Sequence, residues 1–431
     1  MSSRGALTGE ARLIEKGMKE IERERELLAK LCGRLIRFPT ENPPAMATAI
    51  MEFIKEWLAD FGLSSRTFCR EKGKENLISN YGRKLEPGLV LYGHADVVPA
   101  GERRRWKFPP YCGKIIEGKI LGRGAADMKG GLAAELLALK VIAQLDVELQ
   151  KNLQLAVIPD EENFDVERRL LYKLIDDGVI AGQGCVMAEP SGLDAIEVGD
   201  KGDLWLRVRA TGRPAHGSSP VFGDSAILRL IEAIRAMGTI WTDEPSVPSD
   251  VKEVLPFSTE VVKQTITNLG IPERFEEGKR LLTHTSVNVG TIRGGTMINM
   301  VADKAEADIA LCLAPGVTAA NAMIRIKELL SKVPAVEIDT LCVSDPNFTP
   351  PNHPIVSTLR DAYQSITGRD AKPYHMTGTS DAHGFRLRKI PTALFGPGDM
   401  SVIHGYDEYV DMKELTLFAK TYFKTAVEFC A

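Results

Sequence analysis

The sequence predicts an α/β protein with a smaller α+β domain inserted into it. Two short apolar runs, Leu89-Val90-Leu91-Tyr92 and Leu153-Gln154-Leu155-Ala156-Val157-Ile158, flank an Ala- and Leu-rich stretch from Gly130 to Leu145. Strand, helix, strand is the order of a crossover unit in an α/β sheet. From Asp203 the texture changes, because Leu204, Leu206, Val208 and Ala210 alternate with Trp205, Arg207 and Arg209, the period-two pattern of a half-exposed strand. A chain of 431 residues is also long for one domain, since a compact domain takes about 100 to 200 residues.

The other elements follow from the same periodicities. Met18, Ile21, Leu27, Leu28, Leu31 and Leu35 recur at helical spacing within Leu13 to Arg37 and predict an opening surface helix. The breakers Pro39-Thr40-Glu41-Asn42-Pro43-Pro44 end it. After the strand at Asp203 come a helix from Ser225 to Met237, alternating stretches at Ser286–Ile292 and Ala305–Leu313, a helix at Ala319–Leu330 and a strand at Val336–Leu341. Together they make a small two-layer α+β domain. Asp345 to Pro351 is a return linker, and helices are predicted again at Ile355–Ile366 and Leu415–Glu428. The predicted division is therefore 1–202, 203–345 and 346–431, the first and last parts forming one domain.

Composition excludes several function classes. Apolar residues are 44% and charged residues 26% of the chain, enough for a large core and too apolar for disorder. Lys and Arg number 54 against 58 Asp and Glu, a net charge of −4 with no basic block, which argues against a nucleic-acid partner. No apolar run of about 20 residues is present and Met1 to Met18 is polar, so neither a spanning helix nor an export signal is expected, and the predicted location is the cytoplasm. The seven cysteines are odd in number and contain no CxxC pair, so any metal must be held by His and carboxylates.

Five separated segments supply such groups. Gly93-His94-Ala95-Asp96 follows the first apolar strand, where a sheet edge presents side chains to a cleft. An imidazole there can bind a metal through one nitrogen while Asp96 accepts from the other, the alternative being a solvated loop. Gly122 to Gly131 is a glycine-rich turn into a helix. Its spacing fits neither GxxxxGK[ST] nor GxGxxG, and Asp127 would repel phosphate, which leaves metal ligation or helix capping for that residue. Pro159-Asp160-Glu161-Glu162-Asn163 closes the second strand; neighbouring carboxylates that diverge can divide ligation from proton transfer. Ala188-Glu189-Pro190 ends a third apolar run, and Ile403-His404-Gly405 adds a second isolated imidazole. Two His, Asp127, Glu162 and Glu189 are donors enough for two divalent ions sharing a bridging carboxylate.

These segments, read as GHADVVPAG, GRGAADMKGG, PDEEN, AEPSG, GRPAHGSSP, GTSDAHG and GPGDMSVIHGYDEYV, resemble those of the acetylornithine deacetylase and succinyl-diaminopimelate desuccinylase family, which includes aminoacylases, carboxypeptidase G and dipeptidases. The similarity runs over almost the whole chain in the family's order. It implies a metal-dependent exopeptidase-like catalytic domain, a central mixed sheet flanked by helices, with an inserted two-layer α+β lid and dimerisation domain. It further implies that His94, Asp127 and Glu189 hold one metal and Asp127, Glu162 and His404 a second, the pair being zinc, with cobalt or manganese as alternatives. Asp96 would orient His94, and Glu161 would be the general base for a metal-bridging water. A cis peptide would follow Asp127. His216 would cross a homodimer interface to stabilise the oxyanion, Asn299 would hold substrate from the lid, and Gly378, Thr379 and Ser380 would form a loop facing it. The substrate class is an N-acyl amino acid, with short peptides as the alternative.

Two positions depart from the family. Ala310-Leu311-Cys312 stands where Asp-x-Arg is common, and His383 where Arg is frequent, so the usual grip on a substrate carboxylate is absent there. Arg293 and Arg386 are the candidates to replace it. A serine hydrolase using Ser225 or Ser380 is the first rival, although neither lies in a GxSxG elbow. A non-catalytic metal-binding regulator is the second.

Overall fold

A computed structural model of the chain describes residues 9–82, 85–162, 170–192, 194–244 and 246–431. The chain packs as two compact units: Met1–Val198 with Thr349–Tyr374 and Gly384–Ala431 form the first, and Gly199–Phe348 with His375–His383 form the second. In chain order the strands are β1 (Ser65–Cys69), β2 (Glu75–Tyr81), β3 (Pro87–His94), β4 (Lys114–Ile116), β5 (Lys119–Leu121), β6 (Asn152–Ile158), β7 (Gly184–Pro190), β8 (Ala195–Asp200), β9 (Gly202–Thr211), β10 (Ser286–Gly294), β11 (Lys304–Leu313), β12 (Val336–Ser344), β13 (Asn347–Phe348), β14 (Lys372–His375), β15 (Thr392–Gly396) and β16 (Tyr409–Asp411).

The first unit is built on a mixed sheet in the order β1-β2-β6-β3-β7-β15-β8. β3 runs parallel to both β6 and β7, and β15 parallel to β7, while β2 is antiparallel to β6. Every residue of β6 is buried, as is all of β3 after Pro87, the continuous apolar reading of strands covered on both faces. His94 is in register with Ile158, so β3 and β6 end at the same level. The helix Gly130–Gln144 is buried on nearly every position and packs against the helices Met412–Phe429 and Arg25–Ile36, as expected of a helix that is apolar all round.

The opening segment differs from expectation. It forms two helices, Gly9–Arg23 and Arg25–Ile36, and the second is buried through Leu28, Leu31, Cys32 and Leu35 instead of lying on the surface. The break falls at Glu24, whose carboxylate pairs with the buried ammonium of Lys140 on the central helix. That buried cation needs a counter-charge. The return linker is also more ordered than predicted, since β13 within it pairs antiparallel with β8.

The second unit is a four-stranded antiparallel sheet, β10-β11-β9-β12. The alternation in β9 buries Leu204, Leu206, Val208 and Ala210 against Leu230, Ala233 and Met237 of the helix Ala226–Gly238 and Ile326 of the helix Ala319–Leu330, giving two layers. A helix the periodicity had not revealed, Ser249–Leu269, is obscured in sequence by an internal Pro256; it packs through Val262 and Ile266 onto Leu282. Residues 375–383, expected with the final part of the first unit, pack with the second. The backbone N–H of Lys201 donates to Gly378 O (3.0 Å), and Asp200 Oδ2 accepts from the Ser380 hydroxyl (3.0 Å) and amide (3.3 Å).

Arg386 does not fit the substrate-binding role considered for it. It is 8% exposed, and its Nη2 donates to both carboxylate oxygens of Glu197 (3.2 and 3.1 Å) while Nε donates to Thr392 O (3.2 Å). Arg293, the other candidate, lies on the exposed edge strand β10 and pairs with Glu306 of β11. Removing one partner of a buried pair leaves the other charge uncompensated, so Arg386→Met should destabilise the protein by about 3–5 kcal/mol. The double variant Arg386→Met/Glu197→Leu should recover most of that loss in urea unfolding; a single variant with a wild-type midpoint would contradict the structural role.

Candidate metal centre

Three parallel strands deliver the site. β3 ends at His94, the chain leaving β6 carries Glu161 and Glu162, and β7 carries Glu189, so the carboxyl edge of β6-β3-β7 collects one imidazole and three carboxylates. Asp127 arrives from the glycine-rich turn ahead of the central helix, and His404 from the loop between β15 and β16. The turn can approach because Gly131 has no side chain: a Cβ there would sit 2.0 Å from Ala188 O on β7.

Asp127 lies between the two imidazoles. Its Oδ1 is 3.1 Å from His94 Nε2 and its Oδ2 is 3.1 Å from His404 Nε2. Glu189 Oε1 lies 3.3 Å from His94 Nε2, and Glu162 Oε1 lies 3.3 Å from His404 Nε2. The donor atoms thus form two trios, His94-Asp127-Glu189 and Asp127-Glu162-His404, each within 4.8 Å, sharing Asp127. The helix-cap reading of Asp127 fails, since the helix begins with no side-chain cap and the carboxylate faces the imidazoles. The Asp127-Met128 peptide is cis, as the family resemblance implies.

The surroundings hold this geometry. His94 Nδ1 is 3.0 Å from the backbone carbonyl of Asp96 and 3.5 Å from its Oδ1. A carbonyl can only accept, so in the neutral ring Nδ1 carries the proton and Nε2 turns its lone pair towards Asp127 and Glu189. The Asp96 carboxylate instead organises the next segment, accepting from the backbone N–H groups of Glu161 (3.2 Å) and Glu162 (2.9 Å) and from Asn42 Nδ2 (2.7 Å). Glu408, fully buried, accepts from the amides of Ala126 (2.9 Å) and Asp127 (3.2 Å) and from Arg123 Nη1 (2.5 Å), fixing the Asp127 turn. Sequence reading missed Asn42 and Glu408. Glu408 lies only four residues beyond His404, whereas nothing in the run at Asn42 identifies a partner 54 residues away.

The electrostatics call for added positive charge. Burial, reinforced by the Asp127 charge, pushes the Glu162 carboxyl up to about 7; burial also raises Glu189 to about 8, against the attraction of His94. Burial opposes ionisation of Asp127 as well, yet hydrogen bonds from His404 and His94 hold it well below the usual carboxylate range. Bonds to Asp127 and Glu162 lift His404 to about 10. Glu162 Oε1 is buried with no hydrogen bond of good geometry. Desolvated carboxylates clustered against two imidazoles are the donor set of a cation site once the ring nitrogens give up their protons, and mixed N and O donors suit zinc, cobalt or manganese.

The remaining predicted residues lie in the second unit. His216 is exposed; its Nδ1 accepts from the Ser218 amide (3.2 Å) and lies 2.8 Å from Ser218 Oγ. Gly217 N donates to Asn299 O (2.7 Å) and His216 bridges Met300, so the His216 and Asn299 loops are neighbours. Gly378 and Ser380, on either side of Thr379, are anchored to Lys201 and Asp200, and Cys312 Sγ lies 3.5 Å from Thr377 O.

Residues 90–428 match the model of peptidase family M20/M25/M40. The chain belongs to that family. M20 membership makes it a hydrolase of amide bonds. Among its relatives, a probable succinyl-diaminopimelate desuccinylase of Staphylococcus epidermidis is 25% identical over 88% of this chain and 92% of its own. An N-formyl-4-amino-5-aminomethyl-2-methylpyrimidine deformylase of Halalkalibacterium halodurans is 25% identical over 97% and 98%. The fold matches the M20 family metallo-carboxypeptidase Sso-CP2 of Sulfolobus solfataricus with a TM-score of 0.77 at 20% identity, covering 92% of this chain and 98% of that one. No helix among the described residues is long and apolar enough to cross a membrane.

A ligand that binds only the folded state stabilises it by about 2.7 kcal/mol at 100 times its dissociation constant. Metal-stripped protein should therefore gain thermal stability on adding zinc, cobalt or manganese in scanning calorimetry. Asp127→Asn should lose most of that gain and His404→Ala only part; equal gains in all three proteins would contradict a shared cage.

Proposed function

We propose that this M20 hydrolase is a dinuclear metal-dependent deacylase that cleaves the amide bond of an N-acyl amino acid. The observation that carries this is the Asp127 carboxylate with one oxygen 3.1 Å from each imidazole, each imidazole having a second carboxylate of its own. In this reading His94, Asp127 and Glu189 hold one ion, and Asp127, Glu162 and His404 the other. A bound pair of divalent ions, zinc in our reading, supplies Lewis-acid polarisation of the scissile carbonyl and a hydroxide nucleophile at neutral pH.

The chain's own residues supply the rest. Asp96, through its backbone carbonyl, fixes the His94 tautomer and, through its carboxylate, sets the direction in which the chain leaves β6. Glu161, beside the ligand Glu162 and belonging to neither trio, is the general base that accepts a proton and returns it to the leaving amine. With Nδ1 accepting from the Ser218 amide, neutral His216 carries its proton on Nε2 and presents a donor for a developing oxyanion. Asn299 and the Gly378-Thr379-Ser380 loop hold substrate. The related desuccinylases and deformylase, by their names, remove acyl groups, which supports a deacylase over a peptidase.

The reading includes a homodimer formed through the second unit. Strand β10 is the edge of its sheet and is exposed along most of its length. Met297 and Ile298, which line a groove at the end of that strand, are 60% and 102% exposed, and Val221 and Phe222, in the segment between its lining residues Pro220 and Gly223, are 80% and 71% exposed. His216 sits beside this surface and is read as serving the partner's site.

Glu161→Ala should lower turnover by at least about 100-fold, the scale of general acid–base catalysis, while leaving the metal content by emission spectrometry unchanged. Retained turnover would remove Glu161 from the mechanism. Against a panel of N-acyl amino acids and dipeptides, the highest kcat/KM should fall on an acylated amino acid, and a preference for dipeptides would favour the peptidase reading. In light-scattering measurements Phe222→Glu/Ile298→Glu should shift the protein from dimer to monomer and lower activity with it; a fully active monomer would contradict the role of His216 in the partner's site.

A further inference from the structure

Asn42 lies in the breaker-rich segment that follows the opening helices, outside both donor trios, and is 2% exposed. The segment is zipped onto the chain leaving β3: Asn42 N donates to Val97 O (2.8 Å), Val97 N to Thr40 O (3.0 Å), and the Thr40 hydroxyl to Ala95 O (2.5 Å). This places the Asn42 amide between two carboxylates. Its Nδ2 donates to Asp96 Oδ2 (2.7 Å) and to Asp160 Oδ1 (3.0 Å), spending both hydrogens of that nitrogen.

The two acceptors belong to different strand ends. Asp96 follows β3, and its backbone carbonyl faces His94 Nδ1; Asp160 follows β6 and immediately precedes Glu161 and Glu162, whose amides Asp96 also receives. One neutral amide thus joins two carboxylates that would otherwise repel each other, and closes a ring of hydrogen bonds around the segment carrying Glu161. Lys74 Nζ, 3.6 Å from Asp160 Oδ1, is too far to do this by hydrogen bonding.

We infer that Asn42 is a positioning residue that clamps the ends of β3 and β6, setting both the divalent-metal affinity of the His94 trio and the placement of Glu161. This rests on the dinuclear reading above. Groups that orient metal ligands typically change metal affinity or activity by about 10- to 100-fold when removed.

The test uses full-length protein, zinc alone as titrant, and the best substrate of the acyl amino acid panel. Asn42→Ala should weaken zinc binding by about 10- to 100-fold in calorimetric titration and lower kcat by a similar factor at saturating zinc, with KM changed less than about threefold. Asn42→Asp keeps the shape but exchanges the donor for a third carboxylate, so it should be at least as impaired as Asn42→Ala; recovery to wild type would mean that only packing matters. In a double-mutant cycle with Asp160→Ala, the loss in zinc affinity from Asn42→Ala should shrink at least threefold when Asp160 is already gone. Zinc affinity and kcat of Asn42→Ala within twofold of wild type, or strictly additive effects in the cycle, would overturn the inference. A wild-type protein that binds no divalent metal would overturn the dinuclear reading and this inference with it, whereas normal wild-type binding with an unaffected Asn42→Ala would overturn this inference alone.

Discussion

The structure of the centre depends on one carboxylate placed between two imidazoles. Asp127 can reach both only because its turn is pinned from behind by Glu408 and lies against a backbone that Gly131 allows to approach closely. Burial of Asp127, Glu162 and Glu189 together is unfavourable for three anions, and burial, reinforced by the Asp127 charge, drives Glu162 and Glu189 towards protonation. The fold tolerates the cluster because strand ends and a helix-leading turn leave few degrees of freedom, so the donors meet without reorganising. A cation then removes the electrostatic conflict, and this explains why His and carboxylates appear here in preference to a hydrogen-bonded polar network.

The two units divide the work. The first holds every residue of the donor trios together with Glu161, Asp96 and the residues that pin them. The second carries His216, Asn299 and the loop 378–380, to which binding and oxyanion stabilisation are assigned in the proposed function. That loop lies far along the chain from the rest of the second unit but is fastened to it through Asp200 and Lys201. Cys312 and His383 in this unit carry no guanidinium, and Arg386 is committed to Glu197 within the first unit.

Much of this was legible in the sequence, for physical reasons that differ between elements. Strands β3 and β6 and the central helix stand out because burial on all sides demands unbroken apolar runs, and β9 because one buried face demands alternation. The donor residues stand out because each follows such a run or sits among glycines. What stayed hidden depended on tertiary partners: the break at Glu24 answers Lys140, 116 residues away, and the helix Ser249–Leu269 accommodates Pro256. The role of Asp96 was only half legible, since its backbone carbonyl, invisible to residue-type arguments, is what lies nearest His94 Nδ1. Asn42 and Glu408 are polar residues in loops whose significance comes entirely from the groups that fold against them.

The most direct test of the account is a crystal structure of zinc-loaded protein with anomalous diffraction measured at the zinc edge. The account predicts two peaks about 3.5–4 Å apart, the usual separation in two-metal sites, flanking the Asp127 carboxylate. A single peak away from Asp127, or none, would contradict it.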